Sequence, residues 1–172
     1  MGDANHALLS AAASADNAGI KQALNHGANA NATRYETETA LGLLLQQYKR
    51  STQEQQQNIT SAVTTLLEHG ADANALHHGF TPLQIAVGQQ SEVLTTRLIT
   101  YGAAPDMETR AGSAPIWQAV YHNDYKTELI LLQAGANPNI PNEKNQTPLQ
   151  YLRSCGFQKT RLMLHLRYYG GH

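Results

Sequence analysis

A helix-ending Gly-Ala followed by a turn occurs four times along the 172-residue chain, at His26-Gly27-Ala28-Asn29, His69-Gly70-Ala71-Asp72, Tyr101-Gly102-Ala103-Ala104 and Ala134-Gly135-Ala136-Asn137. The glycines are separated by 43, 32 and 33 residues. Self-similarity at this spacing marks stacked repeats, in which each unit covers its apolar face only against a neighbour. Such a chain offers an extended surface rather than a closed catalytic pocket.

A second signal follows each Gly-Ala by about a dozen residues: Thr39-Ala40-Leu41-Gly42, Thr81-Pro82-Leu83-Gln84, Ala114-Pro115-Ile116-Trp117 and Thr147-Pro148-Leu149-Gln150. Threonine caps a helix, proline suits the first helical turn because its missing N–H would be unpaired there, and the aliphatic residue opens a buried face. Helical periodicity with small residues comes next, as in Leu83, Ile85, Ala86 and Val87 or Ile116, Ala119 and Val120. A second helix then runs to the following glycine, the usual left-handed stop. The Asn and Asp residues after those glycines are turn formers that bond their own backbone.

On these motifs the chain resembles the ankyrin-repeat family, with its Thr-Pro-Leu-His-type helix start and Leu-Leu-x-x-Gly-Ala-Asp ending. The match is fullest at Thr81 to Leu83, preceded by Leu66-Leu67-Glu68-His69-Gly70-Ala71-Asp72, and at Thr147 to Leu149, preceded by Leu131-Leu132-Gln133-Ala134-Gly135-Ala136-Asn137. Departures are Ala40 for Pro, Ala114 for Thr, and Gly42, Gln84, Trp117 and Gln150 at the His position. The resemblance implies an all-α ankyrin-repeat solenoid of about five stacked helix-turn-helix units, joined by turns and short hairpins. The units are read as 5–33, an amino-terminal cap, then 34–74, 75–107, 108–140 and a carboxy-terminal cap at 141–172, together a single domain spanning 1–172.

The second unit is about ten residues too long, and its extra material near 49–58 is polar, Lys49-Arg50-Ser51-Thr52-Gln53-Glu54-Gln55-Gln56-Gln57-Asn58. Gln, Glu, Lys and Arg favour helix, so a helix extension is expected, with an outside loop as the alternative. Tolerated surface insertion and dedicated partner contact both remain open.

The family resemblance further implies that another protein docks on the concave side, formed by turn tips and the first helix of each pair, with this chain as adaptor or as inhibitor of an enzyme or toxin. Capture of a host protein by a secreted effector is a variant of that reading. Counting from each helix start places Tyr35, Glu36, Glu38, His77, His78, Phe80, Arg110, Ser113, Glu143 and Lys144 at the tips. Gln46, Gln47, Gln89, Trp117, Tyr121 and His122 fall on first helices, and Tyr125 adds to the aromatic concentration of the fourth unit. Tyr and Trp are frequent interface anchors, while packing is the competing role for Trp117, Tyr35 and Phe80.

A formal net charge of -1 excludes strong global steering to nucleic acid or membrane. Lys144, Arg153, Lys159, Arg161 and Arg167 make the end basic after Glu143, which suits helix carboxy termini or an acidic partner surface. No basic stripe continues through the chain, so nucleic acid is not the expected partner. The amino terminus lacks a basic n-region, His6 stands where a myristoylation motif needs Ser or Thr, and no segment reaches bilayer length. One cysteine, Cys155, allows no internal disulfide, and a cytoplasmic monomer is the expectation. Nucleotide-loop, zincin, Cys-x-x-Cys and Gly-x-Ser-x-Gly motifs are absent. No catalytic residue, metal or cofactor is therefore assigned. An enzyme or small-ligand site grafted on the scaffold is the rival class. Cys155 is read as a buried or half-buried structural thiol, His77-His78 as a polar turn, and His26 and His69 as partners of helix-end carbonyls.

Overall fold

The computed structural model describes residues 2–110, 112–156 and 161–172. Five helix pairs follow one another: α1 (Gly2–Ala13) with α2 (Asn17–Asn25), α3 (Ala40–Leu45) with α4 (Gln53–Glu68), α5 (Pro82–Gly88) with α6 (Glu92–Thr100), α7 (Pro115–Tyr121) with α8 (Tyr125–Gln133), and α9 (Pro148–Ser154) with α10 (Arg161–Tyr168). A short hairpin, β1 (Thr33–Arg34) and β2 (Glu38–Thr39), precedes α3, with Thr33 opposite Thr39 and Arg34 opposite Glu38. Single bridges His77 to Phe80 and Thr109 to Gly112 form the next two tips. First helices α1, α3, α5 and α7 pack in one row, and second helices α2, α4, α6, α8 and α10 in another. The all-α repeat solenoid read from the sequence is the fold observed, and among the described residues no helix is long and apolar enough to cross a membrane.

Local chemistry explains each start and stop. Thr39 accepts from Gly42 N–H, while Thr81 with Gln84 and Thr147 with Gln150 form reciprocal capping boxes. Asp16, Thr52, Ser91 and Asp124 cap the second helices. At the stops Gly27, Gly70, Gly102 and Gly135 are left-handed, with φ from +83° to +90°. The next amide then reaches back five residues, as in Ala71 N–H to Leu66 O at 3.0 Å and Ala136 N–H to Leu131 O at 2.9 Å. Gly170, φ +92°, makes a fifth stop, closed by Gly171 N–H to Leu166 O at 2.7 Å. The sequence motif missed it because Gly171 replaces the usual alanine. His26 and His69 bond the carbonyls of Gln22 and Thr65 through Nδ1 at 2.8 and 2.7 Å, as expected of residues at helix ends.

A ladder of side chains stitches each stop to the next. Asn31 donates to Gly70 O and accepts from Asp72 N–H; Asn74 does the same with Gly102 and Ala104, and Asn139 with Gly170 and His172. Asn5 begins the series by accepting from Asn29 N–H at 2.8 Å. The rung between the third and fourth stops is Asp106, whose two carboxylate oxygens accept from Asn137 N–H at 2.9 and 3.1 Å. A carboxylate has no hydrogen to give the Gly135 carbonyl. Asp106→Asn is therefore expected to add one hydrogen bond and raise stability by about 0.5–1.5 kcal/mol, read as a higher denaturant midpoint; a lower midpoint would show that the charge itself holds the rung.

The polar stretch near 49–58 divides between two structures. Tyr48–Arg50 form a 3-10 turn and Thr52 caps α4, which begins at Gln53 and runs 16 residues against nine in α6 and α8. Gln56 holds the turn through Tyr48 and Ser51 carbonyls, Lys49 bonds Gln89 and Gln90, and Asn58 donates to Ala15 O. The extra residues thus brace the units on either side.

Candidate functional site

The tips and first helices share one face, and the seventeen docking candidates divide by burial and by whether they lie on it. Tyr35 tops the first hairpin, 79% exposed, and both it and Glu36 are left-handed at φ +52° and +62°. A bulky residue there carries strain that the hairpin must hold. Glu38 accepts from Arg34 Nε at 2.7 Å and lies 3.4 Å from His78 Nε2; the Arg34 bond above all holds its carboxyl below the usual range. Gln46, His78, Arg110, Ser113, Tyr121, His122, Glu143 and Lys144 are exposed.

Five candidates have packing or bracing roles, and two of them, His77 and Trp117, are corrected because they are buried. His77 is 2% exposed: its Nδ1 accepts from Thr39 N–H at 3.1 Å while Nε2 is buried without a hydrogen-bond partner among the described residues. Burial, then His78, pushes its pKa down, so the ring is a neutral bolt between hairpins. Trp117 is 0% exposed, and its Nε1–H donates to Ile140 O at 2.9 Å. Gln47 is half-buried and ties Ala12 O to Leu43 O. Gln89 is half-buried, accepting from Lys49 N–H at 3.0 Å. Tyr125 opens α8, a second helix, where Arg161 covers its ring at 4.8 Å, so it lies off this face. Phe80 is half-buried, its ring against Gly112, where an added Cβ would lie 3.0 Å from Cε1. Cys155 also differs from expectation: it is exposed at the end of α9. Of the basic end, Arg153, Arg161 and Arg167 are exposed and Lys159 lies outside the described residues.

Three of the four departures at the fourth helix-start position have a shared cause, since they meet the next tip. Gly42 leaves room for His77, whose Cγ would be 2.1 Å from any Cβ there. Gln84 donates to Gly112 O and Ser113 O at 3.0 and 2.9 Å. Trp117 fills the following space and bonds Ile140. Gln150 only caps Thr147.

Between the tips of the fourth and fifth units a groove of about 660 Å³ opens. Its floor is Tyr121, 52% exposed, and half-buried Tyr151, whose rings meet edge-on at 5.3 Å over Trp117. Glu108, Arg110, Glu143 and Lys144 stand on its walls, and none of them has a salt-bridge partner among the described residues. Tyr151 was missed in the sequence because Ile85 and Gln118 hold the same place in the preceding units; its spacing of 30 from Tyr121 was the available signal. Among the described residues no cluster of three His, Cys, Asp or Glu side chains is placed to hold a metal.

Comparison with known proteins now bears on this arrangement. The family model for ankyrin repeats (3 copies) matches residues 52–142. The chain belongs to the ankyrin-repeat family. Relatives include a mitochondrial disaggregase of Bos taurus, 32% identical over 133 residues and covering 56% of this chain and 20% of the relative. The neurogenic locus notch homolog protein 1 of Danio rerio is 32% identical over 74 residues, 43% of this chain and 3% of its own. The B-cell lymphoma 3 protein homolog of Mus musculus is 33% identical over 95 residues, 54% and 21% respectively. The chain spans about a fifth or less of each relative. An ankyrin array is a protein–protein interaction module, and the family is generally a non-enzymatic binding scaffold.

Proposed function

We propose that this ankyrin array captures another protein on its tip-and-first-helix face, as an adaptor or as an inhibitor that covers a working surface of its partner. The groove floored by Tyr121 and Tyr151 carries this reading. Exposed aromatic rings held from beneath by a buried indole lose little freedom on binding, which makes them efficient anchors. Arg110 and Lys144, with Glu108 and Glu143, form the charged rim that orients a partner. Tyr35, Glu36 and His78 extend the surface toward the first hairpin. The array acts as a monomer when unbound, and its single thiol suits a cytosolic setting.

Substituting alanine at both Tyr121 and Tyr151 is expected to weaken partner binding by more than about 2 kcal/mol. Circular dichroism should show unchanged helicity, because Trp117 keeps the packing beneath. Unchanged affinity in calorimetry with the captured partner would remove the groove from the interface.

A further inference from the structure

One column of the stack breaks its own rule. Seven residues before each stop glycine stand Ile20, Val63, Thr95, Glu128 and Met163, all buried. Glu128, on α8, is 0% exposed. Its Oε2 lies 3.2 Å from His165 Nδ1 on α10, and its Oε1 has no hydrogen-bond partner among the described residues. Thr95 Oγ1, in the same column one unit earlier, is also buried and without a hydrogen-bond partner among the described residues. A carboxylate beside a neutral imidazole would carry an uncompensated charge into the core, whereas a carboxylic acid donates its proton to that imidazole.

Other ionisable groups on the packed elements do not replace His165. Asp124, which caps α8, accepts from Thr127 and adds like charge, and Lys126 pairs with Glu92 of α6 at 3.0 Å. Among the described residues neither Arg97 on α6 nor Tyr121 on α7 makes a hydrogen bond or ion pair with Glu128, and Arg161 of α10 sits over Tyr125. α10 is held by Leu162, Met163 and Leu166, with Arg161, Leu164 and Tyr168 facing solvent.

We propose that docking of α10 on α8 is governed by a proton held between Glu128 and His165: the protonated pair seats the helix, and loss of the proton releases it. In the released state Glu128 meets water and ionises freely, so each opening above pH 7, where free imidazole is neutral, gives up one proton. Hydrogen exchange of the intact chain tests this. After division by the intrinsic exchange rate, the opening constant of α10 amides should rise about tenfold per pH unit from pH 7 to 9. Glu128→Gln, whose amide donates to His165 without ionising, should hold that constant flat; Glu128→Val, matching Val63, serves if the amide variant does not fold. Carbon-13 NMR of the Glu128 carboxyl adds a direct readout, with no ionisation expected below pH 7. Wild-type opening that is independent of pH, a Gln or Val variant that keeps the wild-type slope, or a carboxyl that ionises below pH 6 would overturn the proposal.

Discussion

Trp117→Ala is expected to destabilise the array by about 3–5 kcal/mol. The indole is enclosed on every side, so truncation leaves a cavity that the surrounding helices fill only in part. It also strands the Ile140 carbonyl, which now accepts from Trp117 Nε1 at 2.9 Å. Because neighbouring units couple only through their shared interface, the loss falls on the fifth unit, and denaturant unfolding should show that unit melting before the rest. Trp117→Phe keeps most of the packing and gives up the hydrogen bond, at about 1–2 kcal/mol. A Trp117→Ala protein within about 1 kcal/mol of wild type would mean that the indole carries no structural load and belongs, after all, with the docking residues.

The second large effect is that of pH on global stability. Burial pushes Glu128 up from 4.5 to about 9, and Asp124 adds to the shift. The folded chain therefore holds a proton that the unfolded chain releases once pH passes 4.5. The stabilisation is complete below that value and is lost as pH rises through about 9. Each unit within the window costs about 1.4 kcal/mol, so the stability advantage of Glu128→Gln over wild type should grow by about 3–4 kcal/mol between pH 5 and pH 8. Release of α10 alone sets a ceiling on that figure. His77 acts in the opposite sense, since its depressed pKa favours folding above about 6.5 and opposes it on acidification; the difference between variant and wild type cancels this background. A constant difference across the range would contradict the buried acid.

The repeat architecture was legible because spacing and residue type recur together: threonine caps, proline starts and glycine stops are local chemistry that each unit repeats. What escaped the sequence was chemistry between units. Gly42, Gln84 and Trp117 look like lapses from a His-containing motif when each helix is read alone. They become intelligible only beside His77, Gly112 and Ile140, one tip further along. His77 and His78 are adjacent in sequence and opposite in role, and only the register of their hairpin decides which ring turns inward. Trp117 was placed on the face it supports, one layer too shallow. Tyr151 was overlooked because nothing in its own helix distinguishes it from Ile85 or Gln118. Glu128, in a helix with the pattern of its neighbours, reads as a solvated charge until α10 is laid over it.

Parallel affinity capture with three baits tests the docking account most directly: the wild-type chain, the chain with Tyr121→Ala and Tyr151→Ala, and a chain with Val93→Glu and Thr96→Glu on the second-helix row. A stoichiometric protein retained by the wild type and the second-helix variant, and lost from the tyrosine variant, is the predicted result. Loss from the second-helix variant with full retention by the tyrosine variant would place the interface on the opposite side of the array and contradict the account.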